Sequence, residues 1–202
     1  KKQCKDLIAF AEKRDMSFVQ SFMIDMYSKE KINSVPPKGF DINKYNIKEN
    51  NAYFDIDTYF VRPGLRGKVI VGGPRTRVFS DKEDRFTPLL TKNSLIYLSK
   101  NDIYGTHYSI PYYKNFNNPI ITGVLHYKFL PDDGKKYVQI AKDGNYSMGS
   151  IEYKQYLKVI KENKDLYFYY EKSQKFTNSL DLLKINIINK EVAKSFISDF
   201  WV

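Results

Sequence analysis

Residues 94–130 have the sequence SLIYLSKNDIYGTHYSIPYYKNFNNPIITGVLHYKFL, which places two β-patterned runs on either side of a short polar turn. The first run, 107–113, is rich in tyrosine, and the second, 120–129, is rich in β-branched and aromatic residues. Asparagine-rich residues 115–118 separate them and favour a turn. The pattern predicts a β-hairpin at the centre of the sheet.

Pro111, Pro119 and Gly123 limit how this hairpin can be built. Proline has no N–H to donate to a strand ladder, so we expect each proline at a strand edge, a bulge or a strand start. Glycine inside a strand often marks a place where another group approaches the backbone closely, and we expect such a contact at Gly123.

The same stretch is similar to the last two core strands of extracytoplasmic Cache or PAS-like sensor domains. In that family a Ser-x-Pro-Tyr strand turns through a few polar residues into a Gly-Val strand that ends in an acidic pair. Here the corresponding motifs are 108–113, 115–118 and 120–129, followed by Asp132 and Asp133.

The resemblance implies an α+β fold, with a long N-terminal helix packed on a mainly antiparallel sheet of five or six strands. It implies a ligand- or stimulus-sensing domain of a membrane-anchored signalling protein, of the diguanylate cyclase or sensor histidine kinase type. Such a domain lies outside the cytoplasm, is dimeric in the parent protein and transmits its response through the terminal helices. In the family the ligand pocket uses the central strands and the loops over them, which here offer Tyr59, Arg62, Arg75, Tyr97, Tyr104, His107 and Tyr108.

Hydrophobic periodicity divides the chain into three parts of one domain, 1–202. Apolar residues recur at steps of three and four over 5–30, which predicts a long amphipathic helix. The sheet core is expected over 52–141, with strand patterns at 52–61, 68–71 and 136–141 and a short helix at 80–90. A helix at 150–163, strands at 166–170 and 180–188 and a helix at 191–201 follow, making a C-terminal helix–strand–strand–helix unit over 150–202.

Composition fits a single globular domain. The chain has 202 residues, 42% of them hydrophobic and 28% charged, and it contains no apolar run near the roughly 18 residues of a membrane span. It begins Lys1-Lys2-Gln3 without methionine, so we expect it to be a segment of a longer protein. Cys4 is the only cysteine, which excludes an intrachain disulfide and a cysteine metal cluster.

The formal net charge of +10 allows an anionic partner. The basic residues are spread as singles and pairs along the chain, which is typical of a solvated surface. An alternative to the sensor is a soluble basic module for nucleic acid or another acidic partner, using basic and aromatic side chains together. Its candidate residues are Tyr53, Tyr59, Arg62, Arg66, Arg75 and Arg77.

Catalytic chemistry is not predicted. His107 and His126 are the only histidines, and the sequence has no G-x-S-x-G motif. Asp55 and Asp57 share one face of the predicted strand, but a pair at this spacing is more often solvated than catalytic. We therefore expect no catalytic residue, no metal site and no cofactor in this segment.

The dispersed basic residues predict weak binding to nucleic acid, because few phosphates can be neutralised at once. A filter-binding titration near physiological salt tests this expectation. Micromolar or tighter binding that weakens steeply with added salt would contradict it.

Overall fold

The computed structural model of this chain describes residues 4–32, 52–80, 86–105, 107–116, 118–129, 133–163 and 165–199. The helices there are α1 Cys4–Lys13, α2 Gly73–Phe79, α3 Asp133–Asp143, α4 Ser147–Glu162 and α5 Lys190–Ser198, with short 3-10 helices at Tyr112–Asn115 and Ser179–Lys184. The strands are β1 Phe18–Tyr27, β2 Tyr53–Phe54, β3 Tyr59–Gly64, β4 Gly67–Gly72, β5 Thr91–Ile96, β6 Ile103–Tyr104, β7 Ser109–Ile110, β8 Val124–Phe129 and β9 Gln174–Lys175. The fold is α+β, and most strand pairs are antiparallel.

β1 is the central strand of the main sheet. Its first half pairs antiparallel with β5, and its second half pairs in parallel with β8. Gln20 is partnered by both Asn93 and Ile120, so β5 and the chain leading into β8 lie on opposite edges of β1. At its end β1 also pairs with β2, which in turn pairs with β9.

The predicted helix over 5–30 is wrong beyond its first turns. α1 ends at Lys13 in a Schellman motif, in which the Met16 N–H donates to the Ala11 carbonyl and the Asp15 N–H donates to the Glu12 carbonyl. Residues 18–27 then form β1. Nine of its ten residues are buried, so both faces carry apolar side chains and the alternation that identifies a half-exposed strand is missing.

The predicted central hairpin is also wrong. The first run contributes only β7, which pairs with β6, and the chain continues through Pro111 into a 3-10 helix. The second run forms β8, whose partner is β1 rather than β7. Proline ends the first strand locally, whereas the pairing of β8 depends on a strand about a hundred residues earlier in the chain.

Other predicted elements have mixed outcomes. The strand at 68–71 lies within β4, and the helices at 150–163 and 191–201 correspond to α4 and α5. The strand expected at 136–141 is instead helix α3, where Tyr137 and Ile140 are buried three residues apart. The 52–61 strand is divided into β2 and β3, while 166–170 is not a strand and 180–188 begins in a 3-10 helix. In the helix expected at 80–90, residues 86–90 are not helical and residues 81–85 lie outside the described residues. Asp132 of the predicted acidic pair and residues 200–202 also lie outside the described residues.

The first and last described helices pack against each other. The rings of Phe10 and Phe196 meet edge to face with centroids 5.1 Å apart. Lys13 Nζ lies 3.4 Å from Asp199 Oδ2, and Arg14 donates to the hydroxyl of Ser195. The two ends of the described chain therefore lie close together.

Gly123 has the close contact that its sequence context predicts. A Cβ added at this position would lie 2.2 Å from Ile24 Cδ1 and 2.9 Å from Ile24 Cγ1, and Ile24 is fully buried in β1. The side chain of Ile24 therefore fills the space that any larger residue at position 123 would need.

We expect Gly123→Ala to destabilise the protein by about 1–3 kcal/mol, the usual cost of overpacking a core, and Gly123→Val to cost more. Ile24→Val removes the clashing Cδ1 at its own cost of about 0.5–1.5 kcal/mol. Urea unfolding of the two single variants and the Gly123→Ala/Ile24→Val double variant measures the coupling. Simple additivity of the two losses would contradict the contact.

Candidate ligand pocket

A pocket of about 410 Å³ opens between α1 and the β1–β5 edge. This volume lies within the range of small-molecule sites in proteins. Ile8 and Tyr97 are exposed at its mouth, with 41% and 67% of their surface accessible. The remaining lining residues are Ala11, Glu12, Asp15, Met16, Ser17, Phe18, Leu95, Ile96, Ser99 and Lys114.

Local structure places these side chains. α1 buries Phe10 and Ala11 on its inner face, and the Schellman motif at its end brings Met16 back next to Ala11. Beyond β1 and β5, the N–H of Tyr97 donates to the carbonyl of Ser17, which extends their pairing along the pocket. Asp15 occupies the left-handed position of the motif, with φ 51°, a conformation usually taken by glycine.

The charges around the pocket favour a cation. Lys114 Nζ lies 2.5 Å from Asp102 Oδ2, and this hydrogen bond lowers the pKa of Asp102, so the charge of Lys114 is already paired. Within the described residues, Glu12 and Asp15 have no basic partner. The carbonyl end of α1 adds partial negative charge at the same place. The exposed side of the pocket is therefore acidic in an otherwise basic protein.

The seven ligand residues predicted from the sequence do not come together. Tyr97 lines the pocket beside α1, and His107 and Tyr108 line a different pocket of about 320 Å³. Arg62 and Tyr104 are exposed on the surface, whereas Tyr59 and Arg75 are buried in the core. Sequence reasoning missed Glu12 and Asp15, because an acidic residue near a helix end is ordinary until the structure shows that it has no partner.

Arg75 is committed to the interior. Its Nε and Nη2 atoms each donate to a different oxygen of Asp25 at 2.7 Å, and its Nη1 donates to Glu152 Oε1 at 3.1 Å. Only 3% of the Arg75 side chain and none of the Asp25 side chain is accessible. All three guanidinium nitrogens are therefore hydrogen-bonded, and Arg75 joins α2 to β1 and α4.

The Arg75 cluster continues to two further side chains. Lys128 Nζ donates to Glu152 Oε1 at 2.7 Å, and Nδ1 of His126 lies 2.8 Å from both Asp25 Oδ1 and Arg75 Nη2. Burial alone would raise the pKa of Asp25, but the Arg75 charge and the hydrogen bonds with His126 and Arg75 outweigh it and hold that pKa below its ordinary value. The carboxylate of Asp25 is therefore stable in the core as long as Arg75 faces it.

A second ion pair joins the buried Asp55 to the partly exposed Arg77. Arg77 donates to both oxygens of Asp55 at 2.9 and 3.0 Å, and the hydroxyl of Tyr27 donates to the same carboxylate at 2.6 Å. Tyr59 is fully buried nearby and packs edge to face on Phe22 with ring centroids 5.0 Å apart. Burial, followed by the charges of the two aspartates, raises the pKa of Tyr59 well above its ordinary value. Tyr59 is therefore a core residue.

Arg75→Met should lower the free energy of unfolding at pH 7 by about 3–5 kcal/mol, because the buried Asp25 carboxylate loses both guanidinium hydrogen bonds and keeps only its contact with His126. The exposed pair between Lys172 and Asp57 supplies the control, and Lys172→Met should leave the urea midpoint nearly unchanged. A loss for Arg75→Met no larger than that of the control would contradict this role of the buried pair.

The loss of unfolding free energy caused by Arg75→Met should also become smaller as the pH falls. In the native protein the pKa of Asp25 is lowered, so its contribution to stability is present above the unfolded value of about 4 and is lost as pH falls through the folded pKa. In the variant, protonation of Asp25 removes the buried charge that has lost its guanidinium partner. Urea unfolding of both proteins at several pH values from 7 down to about 3 would measure this, and a constant difference would contradict it.

Comparison with protein-family models, with curated proteins and with solved structures gave no match to this chain. Within the described residues, no helix is both long and apolar enough to cross a membrane, and no three histidine, cysteine or acidic side chains are grouped as metal ligands.

Proposed function

We propose that this chain is a small-molecule-binding sensor domain whose ligand occupies the pocket between α1 and β5. The observation that carries the proposal is the pocket of about 410 Å³, which has a mainly apolar lining and α1 as one of its walls. Concave, mainly apolar sites with a few polar groups are the usual form of small-molecule sites.

The ligand class follows from the lining. Met16, Phe18 and Leu95 offer apolar contact to the body of a ligand, while Glu12 and Asp15 offer carboxylates without basic partners to a cationic group. An amphipathic amine satisfies both requirements. An anionic ligand of the same shape would place its charge against these two carboxylates.

The position of α1 supports a signalling role. The same helix contributes Ala11 to the pocket and Phe10 to the contact with α5. A ligand that binds one placement of α1 more tightly than another would shift the equilibrium between them, and α5 would follow through its contacts. We propose that the parent protein is a membrane-anchored diguanylate cyclase or histidine kinase and that this domain lies outside the cytoplasm. The parent protein would be a dimer.

Two features depart from the sensor family. The last two core strands of the family form a hairpin, whereas here β7 pairs with β6 and β8 pairs with β1. The resemblance implies a long first helix, whereas α1 has 10 residues. Transmission between the ends of the domain would therefore pass through the side-chain contacts of α1 with α5. Hydrophobic segments encoded on both sides of this chain in the parent gene are expected, and a parent protein without them would contradict the membrane-anchored role.

Binding of 4-phenylbutylamine, followed by NMR chemical shifts of the amides in α1 and β5, tests the ligand class. We expect 4-phenylbutanol to bind more weakly and 4-phenylbutyrate to bind most weakly. The double variant Glu12→Gln/Asp15→Asn should weaken the amine by about threefold to tenfold, the effect of one or two partly exposed ion pairs.

Glu162→Gln is the matched control, because Glu162 is exposed at the end of α4 and does not line the pocket. It should leave all three affinities unchanged. Equal binding of the three compounds, or equal effects of the Glu12→Gln/Asp15→Asn double variant and the Glu162→Gln control, would contradict the proposal.

A further inference from the structure

A second surface of the protein exposes large apolar side chains in one region. Leu65, at the turn between β3 and β4, has 98% of its surface accessible. Ile103 and Tyr104 on β6 are 63% and 53% accessible, and Tyr113 in the 3-10 helix after β7 is 70% accessible. Contiguous exposed apolar side chains of this kind mark interaction sites more often than isolated ones do.

Arg66 connects these elements. Its guanidinium lies 4.8 Å from the ring centroid of Tyr108 and 5.9 Å from that of Tyr112, and it donates to the Tyr108 hydroxyl at 2.9 Å. Tyr104 on β6 pairs with Ser109 on β7, the residue that follows Tyr108. The β6–β7 pairing therefore connects β6 to the segment that Arg66 contacts. We call this region the Arg66 surface: Leu65, Arg66, Ile103, Tyr104, Tyr112 and Tyr113.

The segments that form the Arg66 surface are strongly basic. Residues 60–70 and 97–116 contain the cations Arg62, Arg66, Lys68, Lys100 and Lys114, against the single acid Asp102. The Asp102 carboxylate is already paired, because its Oδ2 lies 2.5 Å from Lys114 Nζ. The surface therefore combines exposed apolar groups with positive charge that its own carboxylate does not neutralise.

The side chains suit a protein better than a nucleic acid. Arg66 covers one face of Tyr108 and of Tyr112, which leaves Tyr104 and Tyr113 as the uncovered rings of this surface that could stack on bases. Leu65 and Ile103 are aliphatic and have no ring to stack. Exposed tyrosine together with arginine is, in contrast, the composition of protein-binding hot spots.

We infer that the Arg66 surface binds an acidic segment of a partner protein, with apolar side chains of that segment against Leu65, Ile103 and the exposed tyrosines. Carboxylates of the partner would face the exposed Arg62 and Arg66. None of the six residues that define the surface lines the pocket beside α1, so this inference is independent of the proposed ligand.

A random 16-residue peptide library displayed on phage and selected on the purified chain tests the inference. Selected peptides should combine acidic with apolar residues, and their affinities can be measured by fluorescence anisotropy. Leu65→Asp and Arg66→Glu should each weaken binding about tenfold or more, as expected for residues at the centre of an interface.

The controls make the same chemical changes elsewhere. Met148 is 82% accessible and Lys175 is exposed, and neither belongs to the Arg66 surface, so Met148→Asp and Lys175→Glu should bind the peptides as the native chain does. Selected peptides without acidic residues, or equal losses in test and control variants, would overturn the inference. Micromolar binding of poly(U) near physiological salt that Arg66→Glu abolishes would overturn it in favour of nucleic acid.

Discussion

The carboxylate of Asp25 is the constraint on which the architecture depends. It lies in the central strand with no accessible surface, and an unpaired charge there would cost several kcal/mol. Arg75 meets it with two hydrogen bonds of 2.7 Å and also reaches Glu152 on α4. One guanidinium therefore fixes α2 against both the sheet and the longest helix of the described chain.

This arrangement separates the scaffold from the surfaces proposed to bind. The buried carboxylates Asp25 and Asp55 are paired internally with Arg75 and Arg77, so the proposed binding surfaces use other cations and carboxylates. The pocket is built on α1 and the edge formed by β1 and β5, and the Arg66 surface on the β3–β4 turn and on β6. Neither contains an atom of these two ion pairs. A ligand and a protein partner could therefore bind without breaking the core.

α1 is the element through which the pocket could communicate with the end of the chain. Its inner face lies against the core, its last turn forms the acidic side of the pocket, and Phe10 contacts α5. The neighbouring cations Lys13 and Arg14 are engaged by Asp199 and Ser195. Because those cations are directed to α5, the negative charge of Glu12 and Asp15 is left facing the pocket.

The candidate site could be read from the sequence only in small part. Tyr97 was among the predicted ligand residues and lies in the pocket, whereas Arg75 and Tyr59, predicted with it, are buried away from that pocket. An arginine after a Gly-Gly-Pro turn gives no local sign that a buried aspartate fifty residues earlier will bind it. Glu12 and Asp15 were not predicted, because only the folded structure shows that no basic side chain among the described residues pairs with them.

The sequence by itself determined the α+β class, the basic surface, β4, α4, α5 and the close contact at Gly123. These depend on local signals: amphipathic periodicity, turn residues and the space that a missing side chain leaves. Only the tertiary structure decided that 18–27 is a strand and that 124–129 pairs with it in parallel. Burial on both faces removes the alternation that would identify β1, and parallel pairing joins segments far apart in the chain, so neither is encoded in any short stretch.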